Sequence, residues 1–189
     1  VALRITGGKF KGTKIKTLKV RPFRYTSSKV RESIFNVLKD ISGKKILELF
    51  AGSGIFSFEA ISRGASSATL VEKDERMINL IKENSENLSV KGFLTLLKMD
   101  VYKAIPFLYK RGAKYDIIFL DPPYEMGYVN GTLMRLEANP LYKDDSIIII
   151  EHSKREIPSL GAQKSVVVKR YGDTLLTLIS GMGAHFNGG

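Results

Sequence analysis

A parallel α/β sheet with helices on both faces, finished by an antiparallel hairpin, is the fold this sequence predicts, and three observations predict it. Between residues 45 and 151, short apolar runs of strand length alternate with segments of helical spacing. Those short runs are almost continuously apolar, as strands buried on both faces must be. After residue 165 the helical spacing stops, and two β-rich runs at 165–170 and 174–179 flank Tyr171-Gly172-Asp173, the pattern of a hairpin. At 189 residues, 43% hydrophobic and 26% charged, the chain suits one globular domain with little room for a second.

In chain order, residues 3–18 read as two short strands about a turn supplied by Gly7, Gly8 and Gly12, with Lys14, Ile15 and Lys16 alternating at period two. Arg21-Pro22 opens a connecting segment, and Thr26, Ser27 or Ser28 caps a helix. Val30, Ile34, Val37, Leu38 and Ile41 carry that helix toward a stop at Gly43. A strand at 45–50 passes through a glycine turn into a helix that ends near Arg63. The strand at 68–72 precedes a helix capped by Asp74 and reaching about Leu88. Residues 93–99 form a third strand of the series, followed by a helix over 101–109. A fourth strand at 115–120, a helix at 131–138 and a fifth strand at 146–151, built on four consecutive isoleucines, complete the alternation. The expected division is a basic hairpin arm at 1–26, a main domain at 27–180 and a loose glycine-rich tail at 181–189.

The net charge is +11, and its placement is more informative than its size. Ten basic residues and no acid lie between Val1 and Arg31, leaving 20 basic against 19 acidic residues over the rest. A nearly neutral body with a basic arm implies a polyanionic partner, and nucleic acid is the usual one. Arg4, Lys9, Lys11, Lys14, Lys16, Arg21 and Arg24 are the expected RNA contacts. No apolar run approaches the ~18 residues of a membrane span, and no lipidation motif or secretory signal is legible, so a cytoplasmic monomer is expected. The absence of cysteine excludes disulfides, thiolate metal sites and any mechanism that attacks through a cysteine sulfur. With only His152 and His185, no metal site is expected.

Leu47-Glu48-Leu49-Phe50-Ala51-Gly52-Ser53-Gly54 sets a glycine turn directly after the first core strand. Without Cβ atoms, Gly52 and Gly54 let a ligand lie against the backbone. No Gly-Lys-Ser/Thr follows, so this is not a phosphate loop, and Ser57 stands where a dinucleotide fingerprint has its third glycine. Glu72 lies 20 residues after Gly52 at a strand end, where a carboxylate grips a ribose diol, and Asp100 follows the next strand. Glu48, Glu72 and Asp100 are expected to line one crevice with negative charge, which suits a cationic nucleoside such as S-adenosylmethionine better than a pyrophosphate.

Phe119-Leu120-Asp121-Pro122-Pro123-Tyr124 closes the fourth strand. Two prolines fix φ and cannot donate to a ladder, so the strand must stop there in a rigid turn. That rigidity aims a carboxylate, a proline carbonyl and an aromatic ring at one place. The exocyclic amine of a nucleobase is a poor nucleophile because its lone pair is delocalised into the ring. Asp121 and the Pro122 carbonyl, by accepting both amine hydrogens, would free that pair, while Tyr124 stacks on the base at ~1–3 kcal/mol.

Asp-Pro-Pro-Tyr with Phe-Ala-Gly-Ser-Gly upstream resembles the amino-group-directed S-adenosylmethionine-dependent methyltransferases, and a parallel sheet closed by a hairpin is the outline of their class I, Rossmann-like fold. More narrowly, Arg4-Ile-Thr-Gly-Gly, Arg21-Pro, Val30-Arg-Glu-Ser-Ile-Phe-Asn36 and Leu49-Phe-Ala-Gly-Ser-Gly54 resemble the RsmD family of bacterial 16S rRNA guanine-N2 methyltransferases. Glu59-Ala-Ile-Ser-Arg-Gly64, Glu72-Lys-Asp74 and Tyr171-Gly-Asp-Thr174 extend the likeness over roughly 3–180. The resemblance implies methyl transfer to a guanine of small-subunit rRNA, with the assembled 30S subunit as substrate. It puts Gly52 and Gly54 against the methionine part, Glu72 on the ribose and Asp100 at the adenine. Glu48, Phe50, Lys73, Val101 and Asp121 complete the implied cofactor set, and Asp121, Pro122 and Tyr124 the acceptor site. Arg21, Thr26, Arg31 and Glu32 fall in the segment implied to cover the cofactor, where Phe23, Arg24 and Tyr25 depart from the family's pattern.

Two other classes compete. A DNA adenine-N6 or cytosine-N4 methyltransferase uses similar chemistry but carries a target-recognition region that this chain has no room for. A non-catalytic RNA-binding protein of the same fold has no use for an intact tetrad beside an intact glycine turn. A dinucleotide oxidoreductase would need a third glycine and gives no reason for Asp-Pro-Pro-Tyr.

Overall fold

A computed structural model describes residues 3–18, 26–161 and 165–180. Arg21, Arg24 and the expected tail at 181–189 lie outside the described residues. The chain divides into two compact units, Val1–Met99 and Asp100–Gly189.

In the first unit, β1 (Leu3–Arg4) and β2 (Lys14–Ile15) precede α1 (Ser28–Leu38), β3 (Lys45–Leu49), α2 (Ile55–Ser62), β4 (Ser67–Glu72), α3 (Glu75–Asn87) and β5 (Leu94–Lys98). The last three strands pair in parallel in the order β5-β4-β3, with Leu47 opposite Thr69 and Leu70 opposite Leu96. The apolar side chains of β3 and β4, together with Phe56 and Phe58 of α2 and Met77 and Ile81 of α3, are buried. Ser27, one of three candidates, caps α1 by accepting the Val30 amide, and Asp74 caps α3 by accepting that of Arg76. The first helix ends earlier than its apolar spacing predicts because Lys39 adopts φ +57°, leaving the buried Ile41 beyond the helix.

The basic hairpin lies within the first unit. Leu3 pairs with Ile15 and Arg4 with Lys14, and period-two alternation buries Leu3, Ile5 and Ile15 while Arg4 and Lys14 face out. Its backbone is held by α2: the Thr6 amide donates to both carboxylate oxygens of Glu59, at 3.0 and 2.8 Å. The Lys9 amide donates to Ser62 O at 2.7 Å, and the Ser62 hydroxyl to Gly7 O at 2.6 Å. Asn84 of α3 pairs with both the amide and the carbonyl of Lys16. Glu59 and Arg31 have no exposed side-chain surface. Two guanidiniums satisfy the Glu59 carboxylate: Arg63, donating at 2.9–3.0 Å, and Arg31, 3.6 Å away. Arg31 also donates to Arg4 O at 2.6 Å and Thr26 O at 2.5 Å, so one buried arginine ties the hairpin to the start of α1. Breaking such a buried pair on one side costs about 3–5 kcal/mol.

The second unit comprises α4 (Val101–Lys110), β6 (Tyr115–Leu120), α5 (Tyr128–Ala138), β7 (Tyr142–Ser153), β8 (Ser165–Tyr171) and β9 (Thr174–Ser180). Its strands run β6-β7-β9-β8, the first pair parallel and the rest antiparallel. The expected terminal hairpin is β8–β9, with Tyr171 opposite Thr174. Pairing with β9 extends β7 beyond the isoleucine run to Ser153, opposite Thr174. Helix α5 starts three residues before its apolar spacing does, because Gly127 enters at φ +72° and Glu156 accepts the Val129 amide. Among the described residues, no helix is long and apolar enough to cross a membrane.

Candidate active site

In the first unit the glycine turn leaves the carboxyl end of β3 and enters α2, and its two glycines serve different ends. At Gly52, φ is +52° and a built Cβ meets nothing within 4 Å, so the backbone there is open to a ligand. At Gly54, φ is +71° and a Cβ would lie 2.8 Å from Leu70 Cδ2 and 3.3 Å from both Ile81 and Phe58. Gly54 therefore allows helix to pack on strand, whereas the backbone at Gly52 stays open. Phe50, between strand and turn, holds φ +60°, a costly conformation for a bulky residue and one concentrated at functional sites.

Glu72, half-buried at the end of β4, accepts the Gly52 amide at 2.8 Å on one oxygen and the amides of Lys73 and Asp74, each at 2.8 Å, on the other. The carboxylate fixes the turn and retains lone pairs for further donors such as ribose hydroxyls. Lys73 beside it is exposed. Glu48 of β3 is buried beneath the turn, where it accepts the Ser57 amide at 3.0 Å and the Ser57 hydroxyl at 2.5 Å. Burial outweighs these bonds and pushes its carboxyl up to about 7, and the pair braces the start of α2. Ser57, the residue in the third-glycine position, is thus the partner of Glu48, a pairing nine residues apart that no motif announces. Open backbone at Gly52, a carboxylate held at Glu72 and the amino end of α2 fit a nucleoside cofactor with polar hydroxyls.

Arg31 and Thr26, placed by resemblance in the segment covering the cofactor, are buried in the hairpin network, whereas Glu32 is exposed on α1. Of the expected RNA contacts, Arg4, Lys9, Lys11 and Lys14 are exposed; Lys16 is exposed too but pairs with Glu83.

In the second unit, Asp100 caps α4 by accepting the Tyr102 amide at 2.9 Å, and Val101 behind it is buried. The proline turn follows β6 as expected, with Asp121 and Tyr124 half-buried, Pro122 buried and Pro123 exposed. The sequence does not announce what holds this turn. Tyr124 donates its hydroxyl proton to Glu151 Oε1 at 3.3 Å, so its oxygen is left to accept from Thr174 Oγ1 at 3.1 Å. Glu151 ends the isoleucine run of β7 and Thr174 opens β9; both are buried. Glu156 accepts the Glu125 amide at 2.7 Å, holding the next residue at φ +59°. His152 is buried, with ring nitrogens 2.9 Å from Ser153 O and 2.8 Å from Thr177 Oγ1. It is a strand residue and no base. Lys154 pairs with Asp173, and Arg155 with Glu125.

The family model described as conserved hypothetical protein 95 matches residues 3–180. The chain belongs to this family. It is the RsmD family that the motifs resemble. This RsmD-family chain is 36% identical to Ribosomal RNA small subunit methyltransferase D of Buchnera aphidicola, over 80% of its own length and 78% of the relative's. Against the protein of that name from Escherichia coli K12 the identity is 32%, covering 87% and 82%. The solved structure of Escherichia coli yhhF superimposes with a TM-score of 0.81 at 31% identity, over 94% of this chain and 97% of that one. SMU.776, solved complexed with SAH, shares the fold, with a TM-score of 0.61 at 20% identity, over 80% of this chain and 48% of that one. The fold is that of the class I methyltransferases, and the RsmD-family chain is a methyltransferase whose methyl donor is S-adenosylmethionine.

Proposed function

We propose that the protein methylates the exocyclic N2 amine of a guanine in small-subunit (16S) rRNA, with the assembled 30S subunit as substrate, acting as a cytoplasmic monomer. The observation that carries this reading is the Asp121-Pro-Pro-Tyr124 turn at the end of β6, whose ring is anchored by its hydroxyl. Two relatives that the chain matches over most of their length are named for the RNA of the small subunit.

S-adenosylmethionine supplies an electrophilic methyl group on a sulfonium. In the first unit, Gly52 admits the cofactor against the backbone and Glu72 holds its ribose, with Phe50 and Lys73 beside them. In the second unit, Asp100 and Val101 receive the adenine end, and Asp121 serves cofactor and acceptor. Asp121 and the Pro122 carbonyl accept the two hydrogens of the guanine amine, which draws the nitrogen toward a pyramidal geometry and frees its lone pair. Tyr124 stacks on the extruded base. Catalysis on this reading consists of positioning and amine polarisation. The exposed hairpin residues Arg4, Lys9, Lys11 and Lys14 meet phosphates, joined by Lys16 and by Arg21 and Arg24.

The test is transfer of labelled methyl from S-adenosylmethionine to assembled small subunits, protein-free rRNA and DNA, with mass analysis of the product nucleosides. N2-methylguanosine from the small subunit, lost in Asp121→Ala with cofactor affinity largely kept, is the expected result. A product in DNA or on another amine overturns the reading.

A further inference from the structure

The outer face of α4 and α5 carries a second set of cations that neither the hairpin nor the proposed active site uses. From Val101 to Tyr115 there are four basic residues and no acid. Lys114 is committed to Pro140 O. The other three, Lys103, Lys110 and Arg111, are exposed, and among the described residues none of them forms an ion pair. The buried side of α4 is Val101, Ala104, Ile105 and Leu108, so Lys103 and Lys110 fall on the opposite stripe, with half-buried Phe107 on the flank and exposed Arg111 just past the helix end.

Aromatic rings are interleaved with these charges. The Arg111 guanidinium lies over the Phe107 ring, 3.9 Å from its centroid, and that of Arg135 lies 3.5 Å from the centroid of Tyr102. Tyr128 is tilted against Tyr102 at 5.7 Å. This layer has been accommodated at the expense of helix propensity: Gly131, inside α5, leaves the room that Tyr102 fills, since a Cβ there would sit 2.1 Å from the Tyr102 hydroxyl oxygen. A glycine inside a helix is disfavoured relative to alanine. Stacking a guanidinium on a ring fixes its plane and leaves its edge N–H groups available to phosphate oxygens. Uncompensated cations beside ring-backed guanidiniums match a chain of phosphates and splayed bases.

We propose that the α4–α5 face is a second RNA-contact surface, one that grips the phosphate backbone of the substrate rRNA apart from the target nucleotide. The proposal rests on the reading of the protein as an rRNA methyltransferase. Lys103 and Lys110 act as point charges and Arg111 offers a guanidinium edge held by Phe107, while half-buried Arg135, which spends one nitrogen on Gly131 O at 2.9 Å, backs them beside Tyr102.

The test is the full-length Lys103→Gln/Lys110→Gln/Arg111→Gln variant, measured for affinity to protein-free small-subunit rRNA and to assembled small subunits across a salt series. Each lost phosphate contact reduces the log–log salt slope by about 0.7–0.9, so three lost contacts flatten it by about 2–3. S-adenosylmethionine affinity should stay at the wild-type value and melting temperature should change little, because all three side chains are exposed and in no ion pair, and Arg111 loses only its contact over Phe107. Flattening on both RNA forms is the expected result. An unchanged slope on both means that the face is merely solvated and overturns the proposal. A change confined to assembled subunits makes the partner an acidic protein surface and overturns it equally. If the wild-type protein itself shows no salt-dependent affinity for rRNA, the functional reading falls first, and the surface proposal with it.

Discussion

Replacing Tyr124 by phenylalanine separates the ring from its anchor. A stacking role alone makes Tyr124→Phe harmless, since the ring is kept. The structure predicts otherwise. The hydroxyl donates to Glu151 at 3.3 Å and accepts from Thr174 at 3.1 Å. Both distances are long for hydroxyl bonds, so each belongs at the low end of the net range, about 0.5–1 kcal/mol. Glu151 and Thr174 are only 7% and 8% exposed, so water cannot readily replace what they lose. The buried Thr174 oxygen, having lost this bond, adds about 1 kcal/mol, which brings the expected loss of stability to about 2–3 kcal/mol. Freed from its hydroxyl, the ring no longer has one orientation. If most of that anchoring free energy is expressed in the transition state, single-turnover methyl transfer slows roughly tenfold, the rate equivalent of about 1.4 kcal/mol.

The assay is single-turnover transfer to small subunits, with urea unfolding and calorimetric S-adenosylmethionine binding on the same proteins. Thr174→Val removes one bond and keeps the ring, so it should show the same pattern at about half the size in kcal/mol, consistent with one of two contacts. Tyr124→Ala should be slower than Tyr124→Phe, having lost the stack as well. A Tyr124→Phe protein of reduced stability but wild-type single-turnover rate would show that the hydroxyl holds the fold and does not position the ring. That result would refute the reasoning.

Glu48, raised from 4.5 to about 7, binds more protons folded than unfolded between those values, so stability should fall as pH rises through that window, by up to about 3 kcal/mol. Glu48→Gln should flatten the profile, and identical urea midpoints against pH for the two proteins would remove Glu48 as its source. Gly52→Ala should cost about 1–2 kcal/mol for its left-handed φ and weaken S-adenosylmethionine binding, because its Cβ enters open space. Gly54→Ala should cost roughly 1–3 kcal/mol more, from the clash with Leu70; calorimetry and urea unfolding on both variants check the division of roles. Lys9→Gln/Lys11→Gln/Lys14→Gln, all exposed, should flatten the rRNA salt slope by about 2–3 without changing the melting temperature, whereas an unchanged slope makes the hairpin purely structural.

Hydrophobic period and turn chemistry carried most of the fold. The isoleucine run of β7, the Asp74 cap and the Gly172 turn of β8–β9 are local signals, and each names its own element. Local signals failed where a distant group decided. Helix α5 begins early because Glu156, 27 residues beyond Val129, supplies the acceptor its first turn needs. Strand β7 runs long because β9 returns beside it. The same distinction divides the site. Gly52, Glu72 and Asp121-Pro-Pro-Tyr124 were legible, since motif spacing dictates where a backbone opens and where a carboxylate ends a strand. Their supports were not: Ser57 under Glu48, and Glu151 and Thr174 behind Tyr124, share no spacing rule with the residues they hold.

The hairpin shows that composition describes only one side of an element with two faces. Its outer side carries Arg4, Lys9, Lys11, Lys14 and Lys16, half of the ten cations that occupy the first 31 residues without an acid, and that charge makes the segment read as an arm. Its inner side is written in three apolar residues, Leu3, Ile5 and Ile15, too few to outweigh that charge in any count, yet all three are buried. What fixes it is Glu59, an acid in a helix whose other residues give no reason for one. Its carboxylate takes up Thr6 of the hairpin and the guanidiniums of Arg31 and Arg63. A buried carboxylate persists only where cations and donors surround it, so the hairpin, α1 and α2 are held in one arrangement by the cost of separating them. Cutting the hairpin away would therefore remove the bonds of Thr6 to Glu59 and of Arg31 to Arg4 O, uncover that buried ion pair and destabilise the first unit. Neutralising its outward lysines leaves that network intact, and so isolates the effect of their charge on RNA.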